Sequence, residues 1–167
     1  MSTHKFAGRT LARSQALQLL FQAEALGQTV SEVLRGPYAI GQCDPLDASA
    51  SSGESEPLDE YAEYLALGAD GMRAELDAVI SRASTNWTVA RMPAVDRNLL
   101  RLALYEMIFV DEVAIAITID ESVELAKAYG TDESSRFVNG LLGRVATDIE
   151  NGVDVVDVAC AQQGAED

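Results

Sequence analysis

Few side chains in this 167-residue chain are of a type that does covalent chemistry, and they do not cluster. The single histidine, His4, lies in an N-terminal tail, too isolated for a His-based triad or a His-ligated metal. The two cysteines, Cys43 and Cys160, sit far apart in polar, breaker-rich stretches without C-x-x-C spacing. Neither a zinc site nor a disulfide framework is expected, and a reducing compartment fits. Asp111-Glu112 and Asp120-Glu121 are adjacent acids, whereas general acid–base catalysis needs two carboxylates converging on one pocket. Asp120 and Glu121 read as first-turn residues of a helix, where the dipole favours carboxylates. Gly140-Leu141-Leu142-Gly143 has neither the lysine nor the strand-to-helix context of a phosphate loop. Its glycines are expected to let a neighbouring helix approach closely. What remains is basic and aromatic. Arg9 and Arg13 are four residues apart and share a helix face, with Lys5 one step further back. The apolar positions of that helix fall on other faces, which predicts exposed arginines. Arg136-Phe137 opens the last long helix, a cation beside an aromatic near unpaired amides. Guanidinium planes suit phosphate forks and stack on splayed RNA bases. Each pair is also the pattern of an ordinary solvated helix face. Trp87 reads as a core or staple residue rather than a stacking platform, and Arg97, Arg101 and Glu106 as a buried polar network.

Net charge argues in the other direction. A formal charge of −15 and a pI near 4.3 speak against a polyanion as partner. The excess is uneven, however. Residues 1–40 carry four cations against two acids, and residues 41–70 eight acids with no cation. Residues 71–150 hold eight cations against thirteen acids, and residues 151–167 four acids with no cation. Most of the negative charge therefore belongs to a Ser/Gly-containing stretch and a C-terminal segment, and the start of the chain is locally basic. At 48% hydrophobic residues the chain is too apolar to be disordered throughout. No apolar run reaches the roughly 18 residues of a membrane span, and the N-terminus lacks a secretory signal's apolar stretch. A cytoplasmic protein without membrane contact is expected.

The elements that must position these groups are helical. Apolar residues at i, i+3, i+4 spacing predict a helix from Leu11 to Leu26, stopped by Gly27. Thr29-Val30-Ser31-Glu32 has capping-box spacing and opens a short helix ending near Gly36-Pro37. A stripe from Leu58 to Ile80 predicts a helix from about Pro57 to Ala83, with a kink allowed at Gly68 or Gly71. Val95 to Val110 is apolar almost all round and is expected to be central. Val113–Ile117 reads as a buried connector, followed by a second capping box, Thr118-Ile119-Asp120-Glu121, whose helix stops at Gly130. Thr131 or Asp132 is expected to cap the last helix, which presents Phe137, Leu141, Val145 and Ile149 on one face. The sum is an all-α bundle of six or seven helices. Residues 1–8 form a flexible tail, 9–150 the helical domain with an acidic low-complexity loop at 41–57, and 151–167 an acidic C-terminal tail.

Three stretches carry a family resemblance. Residues 9–24 (RTLARSQALQLLFQAE) look like the opening helix of the bacterial NusB family of transcription antitermination factors, and 86–106, containing VDRNLLRLALYE, looks like its core helix. More specific is IDESVELAKAYG at 119–130 followed by RFVNGLL at 136–142. The resemblance implies two packed helical subdomains, no enzymatic activity and no cofactor or metal. It further implies binding of boxA, a single-stranded RNA element of ribosomal RNA operon leaders, together with NusE, a small-subunit ribosomal protein, within the RNA polymerase antitermination complex, with no role for DNA. RNA-contacting positions carry over to Lys5, Arg9, Arg13, Lys127, Arg136 and Phe137, and partner-facing ones to Asp96 and Glu133. Thr10 and Leu11 stand where the family commonly has arginine, which predicts weak binding by the protein alone. A protein-interaction module with little RNA binding of its own is the alternative. Some ribosomal RNA cytosine methyltransferases open on a similar helical domain, but they continue into a catalytic domain that is not expected here.

Overall fold

The computed structural model describes residues 9–38, 40 and 57–166. Lys5, His4, Cys43 and all but the last residue of the 41–57 loop lie outside the described residues. Among those described, the chain is all-helical: eight α-helices and one 3₁₀ turn, without a strand. It divides into two units, Met1–Asp70 and Gly71–Asp167.

In the first unit, α1 (Arg9–Leu26) packs on α2 (Val30–Arg35). Gly27 takes φ +65°, the left-handed conformation that ends a helix without a Cβ clash. The capping box at the head of α2 is present: Glu32 N–H donates to Thr29 Oγ1 at 3.1 Å, and Thr29 N–H to Glu32 Oε2 at 2.9 Å. Helix α3 (Glu60–Gly71) closes the unit, and Asp70 accepts a hydrogen bond from Val30 N–H at 3.0 Å. The expected 57–83 helix is broken at Met72, beside Gly71, and resumes as α4 (Arg73–Ala83).

In the second unit, α5 (Ala94–Phe109) packs against α4, α6 (Ile115–Tyr129) and α7 (Ser134–Glu150). It buries Leu99, Leu100, Leu102 and Leu104 together with four polar or charged residues. Arg101 donates to both oxygens of Asp77 at 2.7 and 3.0 Å and to Asn98 Oδ1 at 3.1 Å. Thr118 Oγ1 donates to the buried Glu106 carboxylate at 2.6 Å. That bond displaces the expected second capping box. With its hydroxyl taken by Glu106, Thr118 lies inside a helix that begins at Ile115, and no side chain caps α6. Neither Thr131 nor Asp132 caps α7: Glu133 holds the N-cap position without a side-chain bond, and Ser134 Oγ accepts from Thr131 N–H at 2.9 Å. Gly130 is demanded by this turn, because a Cβ there would come within 2.5 Å of Ser134 Oγ. The C-terminal acidic segment is helical. Residues Val155–Glu166 form α8, which packs on α4 and α7 through the buried Val155 and Ala159. No described helix is long and apolar enough to cross a membrane.

Candidate nucleic-acid interface

The second unit carries the more developed surface. Helix α4 ends at Ser84, whose N–H donates to Ile80 O at 2.8 Å. Ser84 Oγ then clamps Trp87 from both sides, donating to its carbonyl at 2.7 Å and accepting from its N–H at 3.3 Å. A backbone tied this way mounts the indole on the end of α4. Trp87 is 42% exposed, so of the core or staple roles expected from the sequence the core one does not hold. Its ring meets Phe137 edge-on, with centroids 5.4 Å apart and planes at 84°. The two rings form the corner of a groove of about 270 Å³, lined along α7 by Arg136, Phe137, Gly140 and Arg144 and along the turn by Ser84–Trp87. Arg136 is exposed and makes no hydrogen bond or ion pair among the described residues. Arg144 reaches back to the last residue of α4, donating through Nε to Ala83 O at 3.0 Å. A guanidinium is favoured there by the helix's C-terminal dipole. Gly140 and Gly143 do not admit a neighbouring helix: a Cβ on either would meet nothing within 4 Å.

The basic face of α1 is reduced to one arginine. Arg9 is exposed and lies 4.6 Å from the centroid of the Tyr61 ring, which stacks in turn with Tyr64 at 6.3 Å. Arg13, expected beside it, is only 5% exposed. Six consecutive residues, Ala12 through Leu17, are buried, so the helix is enclosed on every side there and no amphipathic face survives. The chain entering α3 runs along it: Gln15 donates to Pro57 O at 3.1 Å and accepts from Asp59 N–H at 2.9 Å. Spacing placed Arg13 correctly relative to Arg9, but tertiary packing removed it from solvent.

Of the other expected contacts, Lys127 is exposed and paired with Glu124 at 3.2 Å, one helical turn away on α6. Glu133 is exposed at the head of α7. Asp96, expected to face a partner, is 2% exposed. Burial pushes its carboxyl above the ordinary carboxylate range, against the opposing effect of a hydrogen bond with Ser134. Its Oδ1 has no hydrogen-bond partner among the described residues. A first-turn acid on a helix beginning with Pro93-Ala94 was legible, but its enclosure by the head of α7 was not. No cluster of three or more His, Cys, Asp or Glu among the described residues is arranged to hold a metal.

The sequence profile of the NusB family matches residues 10–147, most of the chain. The chain belongs to the NusB family. It is a family of transcription antitermination factors and not of enzymes. The transcription antitermination protein NusB of Streptomyces coelicolor is 42% identical over 139 residues, covering 83% of this chain and 92% of that protein. A solved structure of Thermotoga maritima NusB superposes with a TM-score of 0.66 at 33% identity, covering 85% of this chain and 92% of that one. A crystal structure of the antitermination factors NusB and NusE in complex with dsRNA matches with a TM-score of 0.62 at 25% identity, over 82% of this chain and 94% of that one. Within this NusB-family fold, the residues that sequence reasoning passed over are Trp87 as a surface ring, Arg144, and the Tyr61–Tyr64 stack. The Asn86-Trp87 dipeptide following a helix end was the available signal for the first. Nothing in the sequence marks Arg144, because its anchor is 61 residues away.

Proposed function

We propose that the chain acts in transcription antitermination by binding boxA RNA of ribosomal RNA operon leaders together with NusE. The observation that carries this reading is the head of α7, where an exposed Arg136 without a partner among the described residues adjoins Phe137 in an open groove. Arg136 supplies a phosphate contact and Phe137 a base-stacking surface, with Arg9 as a further cation on α1. Lys127, already neutralised by Glu124, contributes least. The family and a similar complex solved with NusE and RNA support the assignment. An aromatic corner takes an unpaired base, since bases in a duplex offer only their edges. That favours single-stranded over double-stranded RNA.

With Arg13 withdrawn, α1 presents only Arg9, and the net charge of −15 opposes a polyanion, so the chain alone binds weakly. NusE, as a basic partner, adds positive potential and contact area, docking on acidic surface that includes Glu133. The assembled pair then acts on RNA polymerase. The test is fluorescence anisotropy of labelled boxA RNA at two salt concentrations, with and without NusE, and with duplex RNA as competitor. Tight, salt-sensitive binding only in the presence of NusE, resistant to the duplex, is expected. NusE binding with no RNA dependence at all would instead make the protein an interaction module.

A further inference from the structure

We infer that the groove between the Ser84–Trp87 turn and α7 is a subsite for a single nucleotide of unpaired RNA, the base lying against Trp87 and the phosphate held between Arg136 and Arg144. This rests on the RNA-binding reading above and adds to it three residues, Trp87, Gly140 and Arg144.

Three features of the groove go beyond what the fold requires. The first is the indole. Ser84 fixes the Trp87 backbone through both its N–H and its carbonyl, yet the side chain stays 42% exposed. A large ring held rigidly and left in water is a contact surface in waiting. With Phe137 perpendicular to it, a flat base can lie on one ring's face while meeting the other's edge. The second is Gly140. A glycine within a helix costs about 0.5–1 kcal/mol relative to alanine, and here no neighbour requires it, since a Cβ would meet nothing within 4 Å. What Gly140 does is keep the groove open. The third is charge. Arg144 spends only Nε on Ala83, and its terminal nitrogens have no hydrogen bond or ion pair among the described residues. Asp148, one turn further along α7, does not compensate it, being engaged by Arg82 at 2.9 Å.

Two uncompensated guanidinium groups line one groove in a chain of net charge −15, which selects an anion. Guanidinium forks match phosphate oxygens. The volume, about 270 Å³, lies just below the roughly 300 Å³ at which small-molecule pockets begin. That is room for one nucleotide and not for a duplex.

Trp87 is the only tryptophan in the chain, so its emission reports on the groove directly. The experiment titrates the full-length protein, alone and with NusE, with single-stranded boxA oligoribonucleotide. Tryptophan emission is followed against a Trp-free partner or after subtraction of its signal, in parallel with anisotropy of the labelled RNA. A saturable emission change with the same midpoint as the anisotropy is expected. Arg144→Gln should weaken binding several-fold and reduce the slope of log affinity against log salt by about 0.7, the share of one phosphate contact on a single strand. Gly140→Ala should raise Tm and weaken binding, whereas Gly143→Ala, equally open but outside the groove lining, should raise Tm and leave binding unchanged. RNA binding by anisotropy with no change in Trp87 emission, and with Arg144→Gln and Gly140→Ala behaving as wild type, overturns the subsite and leaves the RNA-binding reading standing. An emission change on adding NusE alone, with none on adding RNA, assigns the groove to the protein partner and also overturns it. Absence of RNA binding under every condition overturns both.

Discussion

Two pairs of arginines present a contrast that their spacing does not reveal. Arg9 and Arg13 on α1 are one helical turn apart and belong by pattern to one exposed face, yet only Arg9 reaches solvent. Arg136 and Arg144 on α7 are two turns apart and line one groove with Gly140 between them. The difference lies in what surrounds each helix. From Ala12 to Leu17, α1 is enclosed on all sides, while α7 buries Val138, Leu141, Leu142 and Val145 on one side and leaves its other side open. A cation's position on a helix wheel decides which residues share a face. Whether that face meets water is decided by chain distant in sequence.

The contrast can be broken or sharpened by substitution. The largest effects should come from arginines and acids that serve the fold. Asp77→Ala strips the buried Arg101 of its two-pronged carboxylate partner and should destabilise the protein by about 3 kcal/mol, the scale for breaking a buried ion pair. Urea unfolding measures it, and a loss below about 1 kcal/mol would mean that the remaining partners of Arg101, Asn98 among them, compensate its charge. Next, Phe137→Ala should weaken boxA RNA binding in the presence of NusE by about 1–3 kcal/mol, the range for one base–aromatic stack, readable by anisotropy. Arg13→Ala and Arg9→Ala should then separate: the first lowers Tm with little change in salt slope, the second reduces the slope by about 0.7 with Tm nearly unchanged. Equal behaviour of the two would restore a shared basic face on α1.

The smallest effect concerns Asp96. Its carboxyl titrates above the ordinary value of 3.8 in the folded state, so the native state holds the proton more tightly than the unfolded chain. The contribution to stability is therefore fully present below that ordinary value and is lost as pH rises through the raised one. Asp96→Asn should flatten this part of the pH dependence. The difference in unfolding free energy between wild type and Asp96→Asn, measured across mildly acidic pH, checks both sign and window.

Helix existence was legible throughout most of the chain because apolar period and breakers agreed: Gly27, the Thr29–Glu32 box, Pro93 and Gly130 all stand at element boundaries in the structure. The failures share one cause. Thr118 and Thr131 both read as helix caps from local pattern, but Glu106, twelve residues before Thr118, takes the first hydroxyl, and α6 starts at Ile115. The same holds for the surface. Arg136 and Phe137 were visible as neighbours in sequence, whereas Trp87 and Arg144 join them only through the end of α4, a contact no local pattern encodes. The acidic C-terminal segment read as a tail because it is short, carries four acids and no cation, and ends in a polar run, yet the buried Val155 and Ala159 seat α8.

The most direct comparison sets α7 against α1 in one assay. The affinity of boxA RNA for the protein–NusE pair is measured by anisotropy at two salt concentrations for wild type, Arg9→Ala, and the double substitution Arg136→Ala with Phe137→Ala. If the α7 groove is the principal RNA contact, the double substitution costs at least tenfold in affinity, well beyond the loss from Arg9→Ala. An equal or larger loss from Arg9→Ala, with the double substitution near wild type, would contradict it and return the RNA to the first helix.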